Sequence, residues 1–176
     1  MNFTIKRNVI LNTLAKVQGL AGRKTNLAIT TNILIEASGS NIIIRATDLE
    51  TGYEGTFPAE VEAEGTIAIN ARKLFEIVRD FPSEEININE IENHWIEIGR
   101  QNVEYHLVGM HYEDFPKIPR FDTVDFITID STALAVMIDK TVYIVGASDD
   151  KRAHIIGIYL ETLQQGSIKQ VRMVST

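Results

Sequence analysis

The stretch Asn2-Phe3-Thr4-Ile5-Lys6-Arg7-Asn8-Val9-Ile10-Leu11-Asn12-Thr13-Leu14 decides the fold, because its frame recurs further along the chain. Ile5, Ile10 and Leu14 superpose on Ile69, Leu74 and Val78, and again on Ile129, Leu134 and Ile138, with the same internal spacings of five and four. Each triplet starts in a short apolar run and continues on one helical stripe, since residues four apart share a helix face. Any strand–helix unit shows part of this pattern, but the third copy goes on matching the first. Ile33-Leu34-Ile35-Glu36-Ala37 has a counterpart in Ile158-Tyr159-Leu160-Glu161-Thr162, and Ile44-Arg45-Ala46-Thr47 in Met173-Val174-Ser175-Thr176. A pattern returning at a near-constant offset marks a repeated structural unit.

Outward from that frame, three helices are expected. In the first, Val9, Ile10, Leu14 and Val17 form the apolar stripe, with Asn8, Asn12, Lys16 and Gln18 off it. In the second, Asn70 caps Ala71 to Asp80, with Leu74, Phe75, Ile77 and Val78 inward and Arg72, Glu76 and Arg79 outward. In the third, Asp130 or Ser131 caps a helix burying Leu134, Met137 and Ile138. Period-2 alternation predicts strands over 41–45, 56–61, 66–69, 85–89, 94–98 and 103–108. Short strands with Gly- and Pro-containing turns between them pair antiparallel, because parallel pairing needs longer crossovers. The expected class is α+β, each unit a strand, a helix and about three strands.

Two such units, residues 1–122, make one two-helix domain. Phe115-Pro116-Lys117-Ile118-Pro119-Arg120 reads as a linker, since two prolines resist helix and sheet alike. Residues 123–176 hold a third unit and no fourth, which leads to the expectation of a truncated second domain, because a lone half-domain leaves a sheet edge unpaired.

Composition excludes several classes. The 176 residues are 44% hydrophobic and 23% charged, an ordinary globular mixture. There is no cysteine, so disulfides, thiolate-ligated zinc, iron–sulfur clusters and thiol nucleophiles are ruled out. No apolar run approaches the roughly 20 residues of a membrane span, and Met1 to Arg7 lacks the order of a secretory signal. A soluble cytoplasmic protein is expected. The net charge of −7 argues globally against a nucleic-acid partner. Its distribution argues otherwise. Residues 1–35 carry Lys6, Arg7, Lys16, Arg23 and Lys24 with no acid, whereas residues 36–64 carry seven acids against Arg45 alone. Screening confines each patch to about 10 Å at 0.1 M salt, so one surface can meet a polyanion while another repels it. Acidic strand faces that merely keep the protein soluble are the plainer explanation of the same pattern.

Several motifs in order give the chain a family resemblance. These are Met1-x-Phe3-Thr4-Ile5-x-Arg7, Arg23-Lys24-Thr25 ahead of Asn32-Ile33-Leu34-Ile35-Glu36-Ala37, and Ala46-Thr47-Asp48-Leu49-Glu50. Ala71-Arg72-Lys73-Leu74-Phe75-Glu76-Ile77 and Asp114-Phe115-Pro116 follow. Together they resemble the N-terminal part of the bacterial sliding clamp, the beta subunit of DNA polymerase III. The resemblance implies a DNA-clamp fold of repeated β-α-β-β-β units, with antiparallel sheets outside and helices on the inner face. It implies a non-catalytic processivity factor, two subunits closing head to tail into a homodimeric ring around double-stranded DNA and tethering the replicative polymerase. No cofactor and no metal ligands are implied. Sliding requires contacts to phosphate that carry no sequence information.

The resemblance also implies site residues. Arg23, Lys24, Arg72, Arg79, Ser148, Asp149 and His154 match DNA-facing positions. Asp149 departs from that role, since a carboxylate repels phosphate, and Lys151 and Arg152 offset it. Glu76 lies between Arg72 and Arg79 and is placed to pair with both. Lys73, Asn102, Tyr105 and Leu107 match the interface with the second subunit. Arg152, Ile155 and Thr176 match one wall of the pocket for polymerase and clamp-loader peptides, most of it beyond Thr176. Leu27-Ala28-Ile29-Thr30 departs from the family's usual proline and leucine.

Enzyme signals are poor. His94, His106, His111 and His154 are scattered, and a spacing of five puts His106 and His111 on opposite strand faces, so a metal site with Glu113 and Asp114 is weakly supported. Asp48 and Glu50 can be read as a carboxylate pair of a hydrolase, although turn capping by Asp48 suits Thr-Asp-Leu-Glu better. No phosphate-binding glycine loop or nucleophile elbow occurs. The remaining alternative is an interaction module built on the same repeat that never touches DNA.

Overall fold

The computed structural model describes residues 1–22, 27–100, 102–119, 126–144, 156–166 and 168–176. The chain forms two compact units, Met1–Arg120 and Phe121–Thr176. The first contains β1 (Asn2–Lys6), α1 (Arg7–Ala21), β2 (Asn32–Ser38), β3 (Asn41–Thr47), β4 (Gly52–Pro58), β5 (Glu60–Ala63) and β6 (Gly65–Asn70). It continues with α2 (Ala71–Asp80), β7 (Glu85–Glu90), β8 (Trp95–Arg100) and β9 (Val103–Val108).

Two antiparallel sheets result, ordered β5-β1-β7-β8-β9 and β4-β3-β2-β6. Each strand that leads into a helix joins the sheet of the other half. β1 pairs with β7, setting Ile5 against Ile86 and Phe3 against Ile88. β6 pairs with β2, setting Ile69 against Ile33 and Ile67 against Ile35. The repeated frame thus reappears as an internal two-fold correspondence of register. Ile5, Ile10, Leu14, Ile69, Leu74 and Val78 are each at most 2% exposed and belong to one core shared by both sheets and both helices.

The helices pack against each other. Asn70 caps α2 as expected, its Oδ1 accepting from the Lys73 backbone N–H at 3.0 Å. At the other end of α2, the Arg7 side chain donates to the carbonyls of Val78, at 2.8 Å, and Arg79. A guanidinium there satisfies orphan carbonyls and opposes the negative end of the helix dipole. Arg7 is the first residue of α1, so one side chain fixes the start of one helix to the end of the other.

Two expectations are corrected. The alternation over 56–61 is not one strand. Pro58 ends β4, which pairs with β3, and the chain then crosses to the other sheet as β5, paired with β1. Proline supplies no N–H for further pairing, and Ala59 donates instead to Ser40 O at 3.0 Å. His94 is not in a strand either: it follows Asn93 in a left-handed turn, with φ of 60° and 56°.

The second unit, as described, contains α3 (Ser131–Thr141), β10 (Tyr159–Gln165) and β11 (Ile168–Val174), the two strands paired antiparallel. Asp130 is the cap, its Oδ1 accepting from Ala133 N–H at 2.9 Å. The burial expected of α3 is not found. Leu134 and Met137 are half-buried and Ile138 is exposed, because the two-stranded β10–β11 sheet covers only part of the helix's apolar stripe.

Leu74→Ala in the shared core is expected to lower the stability of Met1–Arg120 by about 2–5 kcal/mol, whereas Lys73→Ala beside it should change it by no more than about 0.5 kcal/mol. Urea unfolding followed by fluorescence of Trp95, the single tryptophan, measures both. Equal effects would contradict the burial pattern.

Candidate nucleic-acid and edge-strand interfaces

The exposed side of α2 carries the expected cations, each already engaged. Arg72 Nε lies 3.0 Å from Glu76 Oε1. Arg79 does not share Glu76 in the same way. Its guanidinium forms a two-pronged pair with neighbouring Asp80, Nε to Oδ1 and Nη2 to Oδ2 both at 2.9 Å, and lies 6.0 Å from the centre of the Phe75 ring. The fork geometry of guanidinium and carboxylate favours this match over a single contact one turn back. Hydrogen bonding to Arg79 holds the Asp80 carboxyl below its usual range, and the same bond holds Arg79 above its own. Both pairs are solvent-exposed, with Arg72 84% exposed, so each contributes little to stability.

An open depression of about 570 Å³ lies between the end of α1 and the start of α2, walled by Gln18, Gly22, Thr31, Asn70, Arg72 and Arg79. Gln18 Nε2 is buried there and has no hydrogen-bond partner among the described residues. Lys16 is exposed on α1. Arg23, Lys24, Ser148, Asp149, Arg152, His154 and Ile155 lie outside the described residues. Thr176 is exposed after β11.

The second constellation is at the sheet edge. Among the described residues β9 pairs on one side only, with β8. Along it, Tyr105 and Leu107 sit opposite Ile98 and Ile96, both core residues, and therefore on the helix-bearing face. Lys73, Ile77 and Asp80 of α2 join Tyr105 and Leu107 around a shallow depression of about 320 Å³. The tilted Phe81 and Tyr105 rings, 6.3 Å apart, hold this corner together. Asn102 is exposed in the turn between β8 and β9. The structure thus brings together three of the four residues the resemblance assigned to a subunit interface. Ile77 and Asp80 were not among them, although Ile77 lies four residues after Lys73 and shares its helix face.

The carboxylate pair does not form a catalytic arrangement. Asp48 is buried and its Oδ1 accepts from the backbone N–H groups of Glu50, at 3.1 Å, and Thr51, at 2.6 Å. Leu49 in this turn has φ of 79°, and Thr47 Oγ1 accepts from its N–H at 3.0 Å. The side chains thus stabilise a left-handed position that is unusual for leucine. His106 and His111 do not converge: His111 meets the edge of His94 at 4.5 Å, and His106 lies 2.9 Å from Glu104.

Elsewhere the cations of the outer sheet face are neutralised. Arg45 Nη1 and Nε lie 2.6 Å from Glu36 and 2.6 Å from Glu54, respectively. Burial weakens the Arg45 charge, but the hydrogen bonds and charges of the two carboxylates outweigh it and raise the pKa. No helix of the described residues is long and apolar enough to cross a membrane.

Comparison with known proteins agrees with this architecture. The chain is 28% identical over 180 residues to the beta sliding clamp of Caulobacter vibrioides, covering all of this chain and 48% of that protein. It is 29% identical over 170 residues to the beta sliding clamp of Treponema pallidum, covering 96% of this chain and 45% of that one. A crystal structure of the DNA polymerase sliding clamp from Caulobacter crescentus superposes with a TM-score of 0.90 at 28% identity, over all of this chain and 48% of that one. The DNA polymerase III subunit beta from Pseudomonas aeruginosa gives 0.88 at 29% identity, over all of this chain and 47% of that one. The fold is therefore the α+β sliding-clamp fold, with antiparallel sheets and paired helices, and the chain spans about half the length of the curated relatives it matches. The model of the DNA polymerase III beta subunit N-terminal domain matches residues 1–119, and the chain belongs to that family.

Proposed function

We propose that this chain is the N-terminal part of a sliding clamp, a non-catalytic processivity factor that encircles duplex DNA and tethers the replicative polymerase. Met1–Arg120 corresponds in this reading to the first clamp domain, and Phe121–Thr176 to the first part of the second. The observation that carries it is the exposed cationic face of the helix pair, built on two sheets whose outer faces are acidic or neutralised. Arg72, Arg79 and Lys16 supply mobile charges at the solvent-exposed side of the helices. Such groups bind phosphate without reading base edges.

Arg23 and Lys24, with Ser148, Asp149 and His154 of the second unit, complete the DNA-facing set in this reading. The free edge of β9, with Lys73, Asn102, Tyr105 and Leu107, receives the second subunit of a head-to-tail ring. Its one-sided pairing and the depression beside it support that role, because an unpaired edge is a template for adding a strand. Arg152, Ile155 and Thr176 form part of the wall for polymerase and clamp-loader peptides. The site of action is the cytoplasm.

Carboxylate pairing of Arg72 and Arg79 favours the second reading, an interaction module that never touches DNA. Titration of duplex DNA at several salt concentrations separates the two. Under the clamp reading, Arg79→Ala weakens binding and lowers the salt slope by about 1, and Asp80→Asn, which releases Arg79, strengthens binding. An unchanged slope in both favours the interaction module. Arg79→Ala should also return the Asp80 midpoint upward in a carboxyl NMR titration, since the link to Arg79 exists only while Asp80 is ionised and is lost as pH falls through that lowered midpoint.

Encirclement has its own test. Full-length protein loaded on circular duplex should remain bound, and linearising the circle should release it from the ends. Equal loss from circles and cut molecules overturns a topological mechanism.

A further inference from the structure

The two halves of Met1–Arg120 differ at one position where their registers make them equivalent. Through Ile5–Ile86–Ile69–Ile33 correspondence, Gly99 on β8 is the counterpart of Arg45 on β3, and Glu104 on β9 the counterpart of Glu54 on β4. On the first sheet Arg45 provides the cation between Glu36 and Glu54. On the second sheet a glycine stands in that place, and among the described residues Glu104 pairs with His106 rather than with a guanidinium.

Three ligand-bearing side chains converge there instead. Ile96 and Ile98 point into the core, so Glu97, Glu104 and His106 share the outer face. Glu97 pairs directly with His106 across the strands, and Glu104 lies two residues before His106. One ligand atom from each falls within 4.8 Å of the others. His106 Nε2 is 2.9 Å from Glu104 Oε1, and the Trp95 ring meets the imidazole edge-on at 6.5 Å. A Cβ at Gly99 would meet the Val103 carbonyl oxygen at 3.2 Å, a tight contact, and Glu104 Cγ at 3.7 Å, so the glycine holds no side chain where Arg45 stands on the sister sheet.

We propose that Glu97, Glu104 and His106 form a binding site for a divalent transition-metal ion of the zinc class, which takes the place held by the Arg45 guanidinium in the other half. The donor set selects the ion. One imidazole nitrogen with two carboxylate oxygens suits zinc, whereas magnesium and calcium favour oxygen alone. Tetrahedral bonds of about 2 Å separate ligands by roughly 3.3 Å, within reach of small side-chain rotations here. The fourth position is left to water, because Glu104 and His106 are exposed. The ion ties β9 to β8 and removes the repulsion between two carboxylates on neighbouring strands. The site is independent of DNA binding.

Titration calorimetry of the metal-free full chain with zinc chloride tests this. One saturable ion is expected, and Glu104→Gln and His106→Gln should each weaken it roughly 10- to 100-fold. Gly99→Arg, which supplies the sister sheet's cation, should compete with the ion and weaken it as well. His94→Ala and His111→Ala, at the other histidine contact, should leave it unchanged. Circular dichroism of each variant separates loss of the site from loss of the fold. Absence of saturable binding, or binding that survives Glu104→Gln and His106→Gln but is lost with His94 or His111, overturns the proposal.

Discussion

The pairing of β1 with β7 and of β6 with β2 is the constraint on which the rest of Met1–Arg120 depends. Each half gives its leading strand to the sheet of the other, so neither half can close its own core. The apolar side chains that start the two repeats, Ile5 and Ile69, are buried against Ile86 and Ile33 of the opposite half. Because each helix follows its leading strand directly, this arrangement also brings α1 and α2 together. Arg7 then closes the end of α2 from the start of α1. One set of interlocked strands thereby positions the helix pair, and with it every cation on its exposed side.

Much of this was legible because repetition writes itself in spacing. The intervals of five and four around Ile10, Leu14, Leu74 and Val78 identified the helices and their buried faces, and Asn70 and Asp130 identified their caps. The break at Pro58 was not legible from alternation, since Thr56 to Val61 keeps period 2 while its two parts serve different sheets. Burial of α3 was overestimated for a different reason. Amphipathic spacing specifies which face prefers to be covered but not whether a covering surface is present. At the candidate interfaces, residue identity came from the resemblance and convergence from the structure. Lys73 and Tyr105 are far apart in sequence and meet only because α2 lies beside β9. Glu97 and His106 face each other only through the register of the β8–β9 hairpin, which single-strand periodicity does not contain.

The electrostatic pattern has two regimes. On the outer face of the β4-β3-β2-β6 sheet, Arg45 is largely covered and held by two carboxylates in short contacts, so its charge is committed to the fold. On α2, Arg72 and Arg79 pair in open solvent, where water and salt compete for both partners and rearrangement is inexpensive. The first arrangement keeps the sheet face ordered and without free positive charge at Arg45. The second keeps guanidinium groups available near neutral pH while preventing a concentrated positive surface. Net negative charge and a locally cationic helix pair coexist on these terms.

The distance along the chain between β1 and β7 has a consequence for biosynthesis. Phe3 and Ile5 leave the ribosome some eighty residues before their partners Ile88 and Ile86. Until then the nascent chain can cover this apolar segment only with α1 and, later, β5, and the long loop must close before the pairing with β7 repays its entropy. During that interval the segment is a natural target for chaperones that hold emerging polypeptides.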